Sequence, residues 1–233
     1  MPHTHIPMNN IIHVFYPVSF AATTLLTVWF FYKASAKSGS VLLISCSCLL
    51  LMAVMASCLY LDKSYAGQSR VALMIIPGIF TAVIPFFTFK GKMFVDRLQG
   101  EWLSYMHVVR VPVEILFYLF ISGEASSIMT DTVNLNILTG YTAPFIGYFG
   151  YREIRLNSSV LWIWNLASAG LLLYMIFQTL FYTWMPFTYM LDEQEGTLLD
   201  IPFIWLMGYV VPILLFSHMV CIRQLLRSGK DPA

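Results

Sequence analysis

Apolar residues are concentrated in seven stretches of this chain, Ile11 to Tyr32, Val41 to Leu61, Val71 to Phe89, Trp102 to Phe120, Leu135 to Tyr151, Val160 to Tyr182 and Leu199 to Ile222. Most approach the roughly 20 residues that a helix needs to cross about 30 Å of hydrocarbon, and the fifth is the shortest. The polar segments between them alternate in charge. Lys33 and Lys37 lie in the first, Lys90, Lys92 and Arg97 in the third, Arg152 and Arg155 in the fifth, and Arg223, Arg227 and Lys230 follow the last stretch. The opposite set holds only Lys63 and Arg70, and Arg110 falls inside a stretch. Lysine and arginine are retained on the cytoplasmic side of short loops. The pattern therefore predicts one membrane domain over residues 1–233, an all-α seven-transmembrane-helix bundle with its N-terminus outside and its C-terminus in the cytoplasm.

Composition sharpens this picture, because 58% hydrophobic and 11% charged residues are far from the balance of a soluble domain. A formal net charge of +1 conceals an asymmetry, with Glu124, Asp131, Asp192, Glu193, Glu195 and Asp200 on the predicted outer side. That distribution implies a lipid bilayer as the principal partner and no nucleic acid. Ala34-Ser35-Ala36 resembles a signal-peptide cleavage site, but Met1 to Asn10 carries no lysine or arginine and the apolar run is long, so a retained first helix is expected. Cys46 and Cys48 stand two apart and point to different helix faces, and with Cys58 and Cys221 they read as small packing residues. Asn157-Ser158-Ser159 is a glycosylation sequon that the topology puts in the cytoplasm, where it is silent.

Function in such a chain is sought among polar residues inside the spans, where ionisable groups are costly and face the bundle interior. The fourth span holds His107, Arg110 and Glu114, about 7.5, 12 and 18 Å along the helix from Trp102, so Glu114 approaches the midplane. Arg110 and Glu114 are four apart and can pair on one face, with Pro112 between them removing a backbone hydrogen bond. One reading of the pair is structural. The other makes Glu114 a proton or cation site, which requires the pair to separate, since an arginine partner favours the ionised carboxylate. His218 lies at about the depth of His107, which raises a metal or bis-histidine haem site. His3-Thr4-His5 sits near the terminus, and His13 near the outer end of the first span.

Other chemistries lack their residues. The lysines fall in loops, at span ends or in the tail, so a retinal pigment has no Schiff-base candidate. An intramembrane zinc hydrolase needs about three converging ligands, and only His107, Glu114 and His218 are available for it. Pro77 and Pro85 in the third span and Pro202 and Pro212 in the seventh outline a weak internal repeat, in which kinked helices frame a midplane cavity. Asn165, Ala167, Ser168, Gly170 and Gln178 in the sixth span read as helix contacts, and Trp162, Trp164 and Trp205 lie deep enough to line a cavity.

The segments Arg110-Val111-Pro112-Val113-Glu114-Ile115, Phe216-Ser217-His218 and Ile222-Arg223-Gln224-Leu225-Leu226 resemble an uncharacterised group of bacterial seven-span membrane proteins, over the half of the chain from Arg110 onward. The resemblance implies the cytoplasmic (inner) membrane of a bacterium and brings no activity with it. The residues alone lead first to a multi-pass protein that binds or moves a small solute or ion through a kinked-helix cavity, with the polar site at His107, Arg110, Glu114 and His218. The second reading is a sensor or assembly subunit acting through a membrane protein partner, with Arg223, Gln224 and Arg227 as contact residues. An intramembrane metal or haem enzyme comes third, and no stretch spells out a reaction.

Overall fold

The structure, a computed structural model, describes residues 8–35, 67–121, 127–184 and 205–228, with side chains for residue 15 and for 17–35, 75–116, 135–177 and 205–228. The expected second span with Cys46, Cys48 and Cys58, together with His3, His5, Glu124, Asp192, Glu193, Glu195, Asp200 and Pro202, lies outside the described residues, as do the side chains of His13, Asp131 and Gln178. Every described element is helical and none is a strand. In order they are α1 (Met8–Ala34), α2 (Gly67–Val83) with a 3-10 turn (Ile84–Phe86), α3 (Phe89–Asp96), and α4 (Gly100–Tyr105) leading through a 3-10 turn (Met106–Val109) into α5 (Arg110–Ile121). Then come α6 (Ser127–Phe145) with a π turn (Ile146–Arg152), α7 (Ser158–Trp184), and a π turn (Leu206–Val210) leading into α8 (Val211–Ser228).

Two stretches are long and apolar enough to cross a membrane, Ser158–Phe177 and Leu206–Ser228. A third is obtained by joining Ile75–Phe86 to Phe89–Asp96, which are bent by 88°. Length and apolarity thus support two or three spans among the described residues, against seven expected.

The bend changes the expected third span. Pro85 lacks an amide and sits in the 3-10 turn, where the helix tightens and stops. Thr88 then caps α3, its hydroxyl accepting from the Gly91 amide at 3.1 Å. Gly91 passes so close to the turn that a Cβ there would lie 2.6 Å from the Pro85 Cα. The expected span to Phe89 therefore stops at the turn, and the segment after Phe89, expected as a loop, is a short helix across the end of the bundle. The fifth stretch is longer than expected, since helix extends from Ser127 through the π turn to Arg152. Asn157 serves as the cap of α7, with Oδ1 accepting from the Ser159 amide at 3.2 Å, which gives the sequon residue a structural role.

Side-chain hydroxyls in the apolar helices are satisfied locally. Thr23, Thr24 and Thr27 of α1 are buried, and each donates to the carbonyl four residues back. The core centres on α8, which packs against α2, α3, α4 and α7. Its residues from Val211 to His218 are all buried, whereas α7 turns Ile163, Leu166, Leu173 and Phe177 outward. A helix apolar and covered all round is a core helix. Close approach to α2 depends on Gly78, where a Cβ would stand 2.6 Å from both the Gly208 carbonyl oxygen and Pro212 Cγ. Pro85 at a sharp bend and Pro212 inside this buried helix occupy different settings, so that part of the proline repeat has no common geometry.

At the positively charged end, Asp96 of α3 accepts from Arg223 Nε at 2.8 Å and from Arg223 Nη2 at 3.2 Å, and also from Arg227. These hydrogen bonds, Arg223 foremost, hold the Asp96 carboxyl below the usual carboxylate range. Gln224 donates to the carbonyls of Val95 at 3.2 Å and Leu98 at 2.8 Å, covering the open end of α3. The three residues assigned from sequence to a partner contact thus fasten α8 to α3 within this chain.

Candidate functional site

The 3-10 turn of Met106–Val109 lies one turn before Pro112, where the missing amide and the ring disfavour regular helix. It delivers His107 into the core, and the first turn of α5 delivers Arg110. Gly140 of α6 allows the approach, since a Cβ there would be 2.7 Å from Val111 Cγ2 and 3.3 Å from the His107 carbonyl oxygen. His107, Arg110, Glu114 and His218 are all buried, at 1%, 3%, 4% and 0% exposure.

Arg110 is the centre of a polar cluster. Its Nη1 donates to Asn136 Oδ1 and to the Ser168 carbonyl, each at 3.4 Å, and its Nη2 lies 3.2 Å from His218 Nε2. One side chain of α5 therefore reaches α6, α7 and α8. A guanidinium has only donors, so His218 Nε2 accepts and the ring carries its proton on Nδ1. That proton goes to Asn165 Oδ1 at 3.1 Å, while Asn165 Nδ2 donates to the Leu161 carbonyl at 2.8 Å and to the Tyr151 hydroxyl at 3.4 Å. The contacts place His218 in its neutral form.

His107 and His218, set at equal depth by counting from the loops, do come together, but face to face. Their rings stack with centroids 4.0 Å apart and planes 21° from parallel, and Trp164 packs 5.5 Å from each. His107 Nε2 lies 2.7 Å from Ser217 Oγ, which donates to the Leu214 carbonyl at 2.8 Å. A bis-histidine haem or metal site needs two nitrogens converging on one centre. Here the rings face each other and both nitrogens of His218 are engaged, so the residues do not fit that group. No cluster of three or more histidine, cysteine, aspartate or glutamate side chains able to hold a metal occurs among the described residues.

No family model, curated protein or solved structure matches this chain.

Glu114 behaves differently from the expected pair. Its four-residue spacing from Arg110 permits an ion pair, yet among the described residues the two are not within the 4.0 Å of a salt bridge. The reason is directional. Helix side chains lean toward the N-terminus, so Arg110 extends away from Glu114 toward the histidines, where three acceptors await it. Both residues border a cavity bounded by Asn136 and mainly by apolar side chains, among them Val113, Leu172, Leu206, Val210 and Leu214. It offers about 20 Å³ to the centre of a water-sized sphere, which is room for one or two waters. Leu206 and Val210 belong to a π turn, a departure from regular helix that is frequent at functional sites.

Asn136, Ser217, Asn165, Ser168 and Trp164 complete the cluster. Sequence patterning marked Asn165 and Ser168 only as packing residues and Trp164 as a cavity candidate, and it passed over Asn136 and Ser217. The signal for Asn136 was available, since an amide inside an apolar stretch needs a partner. Trp205 adjoins the cavity residue Leu206 but does not border the cavity itself.

Proposed function

We propose that this chain is a seven-span protein of a bacterial cytoplasmic membrane, N-terminus outside, that takes up and moves a proton or a small cation at Glu114. The observation that carries the reading is the separation of Glu114 from Arg110 beside a cavity of water size. A carboxylate locked to arginine cannot exchange its proton without breaking the pair. In this arrangement Arg110 is held by Asn136, Ser168 and His218, so Glu114 can change its charge while the helix contacts persist. The cavity volume narrows the ligand from small solutes in general to a species no larger than one or two waters. The 27-residue length of α1 and of α7 is compatible with crossing a bilayer, and the lysine and arginine distribution supports the orientation.

A second reading, a sensor or assembly subunit bound to another membrane protein, draws on the outer flank of α7. At Gly170 a Cβ would meet nothing within 4 Å, so this small residue serves no close contact inside the described chain.

The test is ion flux in sealed vesicles containing the purified full-length protein and a pH-sensitive dye. Wild type should dissipate an imposed proton or monovalent cation gradient, and Glu114→Gln should abolish this while remaining folded. Equal flux in the two proteins, or none in wild type, rejects the carrier reading. Absence of flux together with a stable complex lost on Gly170→Trp favours the subunit.

A further inference from the structure

Both α2 and α3 leave apolar side chains uncovered. Ile76, Phe80 and Ile84 are exposed at successive four-residue steps, and Phe87, Phe89 and Met93, at and beyond the 88° bend, are exposed as well. Phe87 and Phe89 are 78% and 80% exposed, an extreme for aromatic side chains in contact with water. On α3 the Phe89 and Met93 stripe is flanked by Lys90 and Lys92, about 80° to either side of its centre at 3.6 residues per turn. Both lysines are exposed, and among the described residues neither they nor Arg97 form an ion pair. The acid on α3, Asp96, is occupied by Arg223 and Arg227 and does not oppose an anion. Glu101, the next acid along the chain, faces Arg152 at 3.8 Å.

We propose that α3 lies in the plane of the cytoplasmic leaflet, with Phe87, Phe89 and Met93 in the acyl region and Lys90 and Lys92 binding the phosphates of anionic phospholipids. The proposal rests on the membrane reading above. It follows from the exposed Phe87, Phe89 and Met93, from the sharp turn that sets α3 across the end of α2, and from the charges beside the stripe, the arrangement of an interfacial amphipathic helix. The hydrogen bonds from Gln224 and Arg223 to Val95 and Asp96 fasten α3 across the bundle end.

Native mass spectrometry of the delipidated full-length protein, titrated with phosphatidylglycerol or phosphatidylcholine, reads the preference. Wild type should retain phosphatidylglycerol on the order of tenfold more strongly, decreasing with salt, and the Lys90→Gln, Lys92→Gln double variant should lose most of that difference. A photoreactive benzoyl-phenylalanine at Phe89 should crosslink to lipid. Equal retention of both lipids, a preference unchanged in the double variant, or crosslinks only to protein overturns the proposal. Vesicle flotation of the same samples separates the two levels. A protein that floats without headgroup preference sinks this proposal alone, and one that does not float sinks the membrane reading with it.

Discussion

Replacing Arg110 by methionine should be more damaging than neutralising Glu114, although the two were natural candidates for a single ion pair. Arg110→Met removes three interhelical hydrogen bonds, to Asn136, Ser168 and His218. At 3.2 to 3.4 Å they are long. Interhelical hydrogen bonds in membranes average about 0.6 kcal/mol, so their loss costs about 2 kcal/mol. The buried Glu114 also loses the one positive charge near it among the described residues, and stranding a buried charge raises the total toward about 3–5 kcal/mol. Glu114→Gln leaves Arg110 without a counter-charge but keeps the side-chain shape and the three hydrogen bonds that satisfy the guanidinium, so it should cost less than Arg110→Met, on the order of 1–2 kcal/mol. The double variant should recover part of the Arg110→Met loss, because no charge is then stranded. Unfolding in mixed micelles of rising dodecyl sulfate content, followed by circular dichroism, measures all three. A Glu114→Gln cost equal to that of Arg110→Met would mean that the residues act as one pair, with Arg110 turned toward Glu114 rather than toward Asn136, Ser168 and His218. A cost under about 0.5 kcal/mol for Arg110→Met would remove Arg110 from its central place.

Asn165→Leu should destabilise by about 1–2 kcal/mol, because the Nδ1 proton of His218 is left buried without an acceptor, and the same unfolding assay reads it. Gly78→Ala should cost about 1–3 kcal/mol through collision with the Gly208 carbonyl and Pro212, whereas Gly170→Ala should be neutral or stabilising by up to about 1 kcal/mol, since nothing stands in its way and alanine favours helix. Asp96 titrates below its ordinary value when folded, so its stabilising contribution is complete above about pH 4 and is lost as pH falls through the lower folded value. Asp96→Asn should remove that part of the acid dependence, and identical acid profiles would show that the Arg223 and Arg227 contacts do not persist in solution.

Apolar periodicity and charged loops made the helices readable, and counting residues inward from those loops placed His107 and His218 at one level. Side-chain direction was not readable in the same way. The spacing of Arg110 and Glu114 permits contact, but the choice between Glu114 and the trio of Asn136, Ser168 and His218 depends on helices distant in sequence. The bend before α3 was half legible, for Pro85 signals a break and Thr88 a cap. Nothing local says that Arg223, Arg227 and Gln224 will draw the following segment across the bundle end. Pro112 announced disturbed helix, while the π turn beside the cavity carries no comparable mark in Leu206–Val210.

The burial of α8 has a bearing on how the chain is assembled. Its polar residues Ser217 and His218 supply partners to His107 and Arg110, which precede them by more than a hundred positions. On the membrane reading proposed above, α5 to α7 would enter the bilayer before α8 exists, so a buried guanidinium and a histidine would wait without their final partners. Insertion is therefore separable from completion of the core. Chains arrested before Val211 should reside in the membrane yet remain open to proteases and to quality control until α8 closes the bundle, which pulse-labelling of arrested and released chains can resolve.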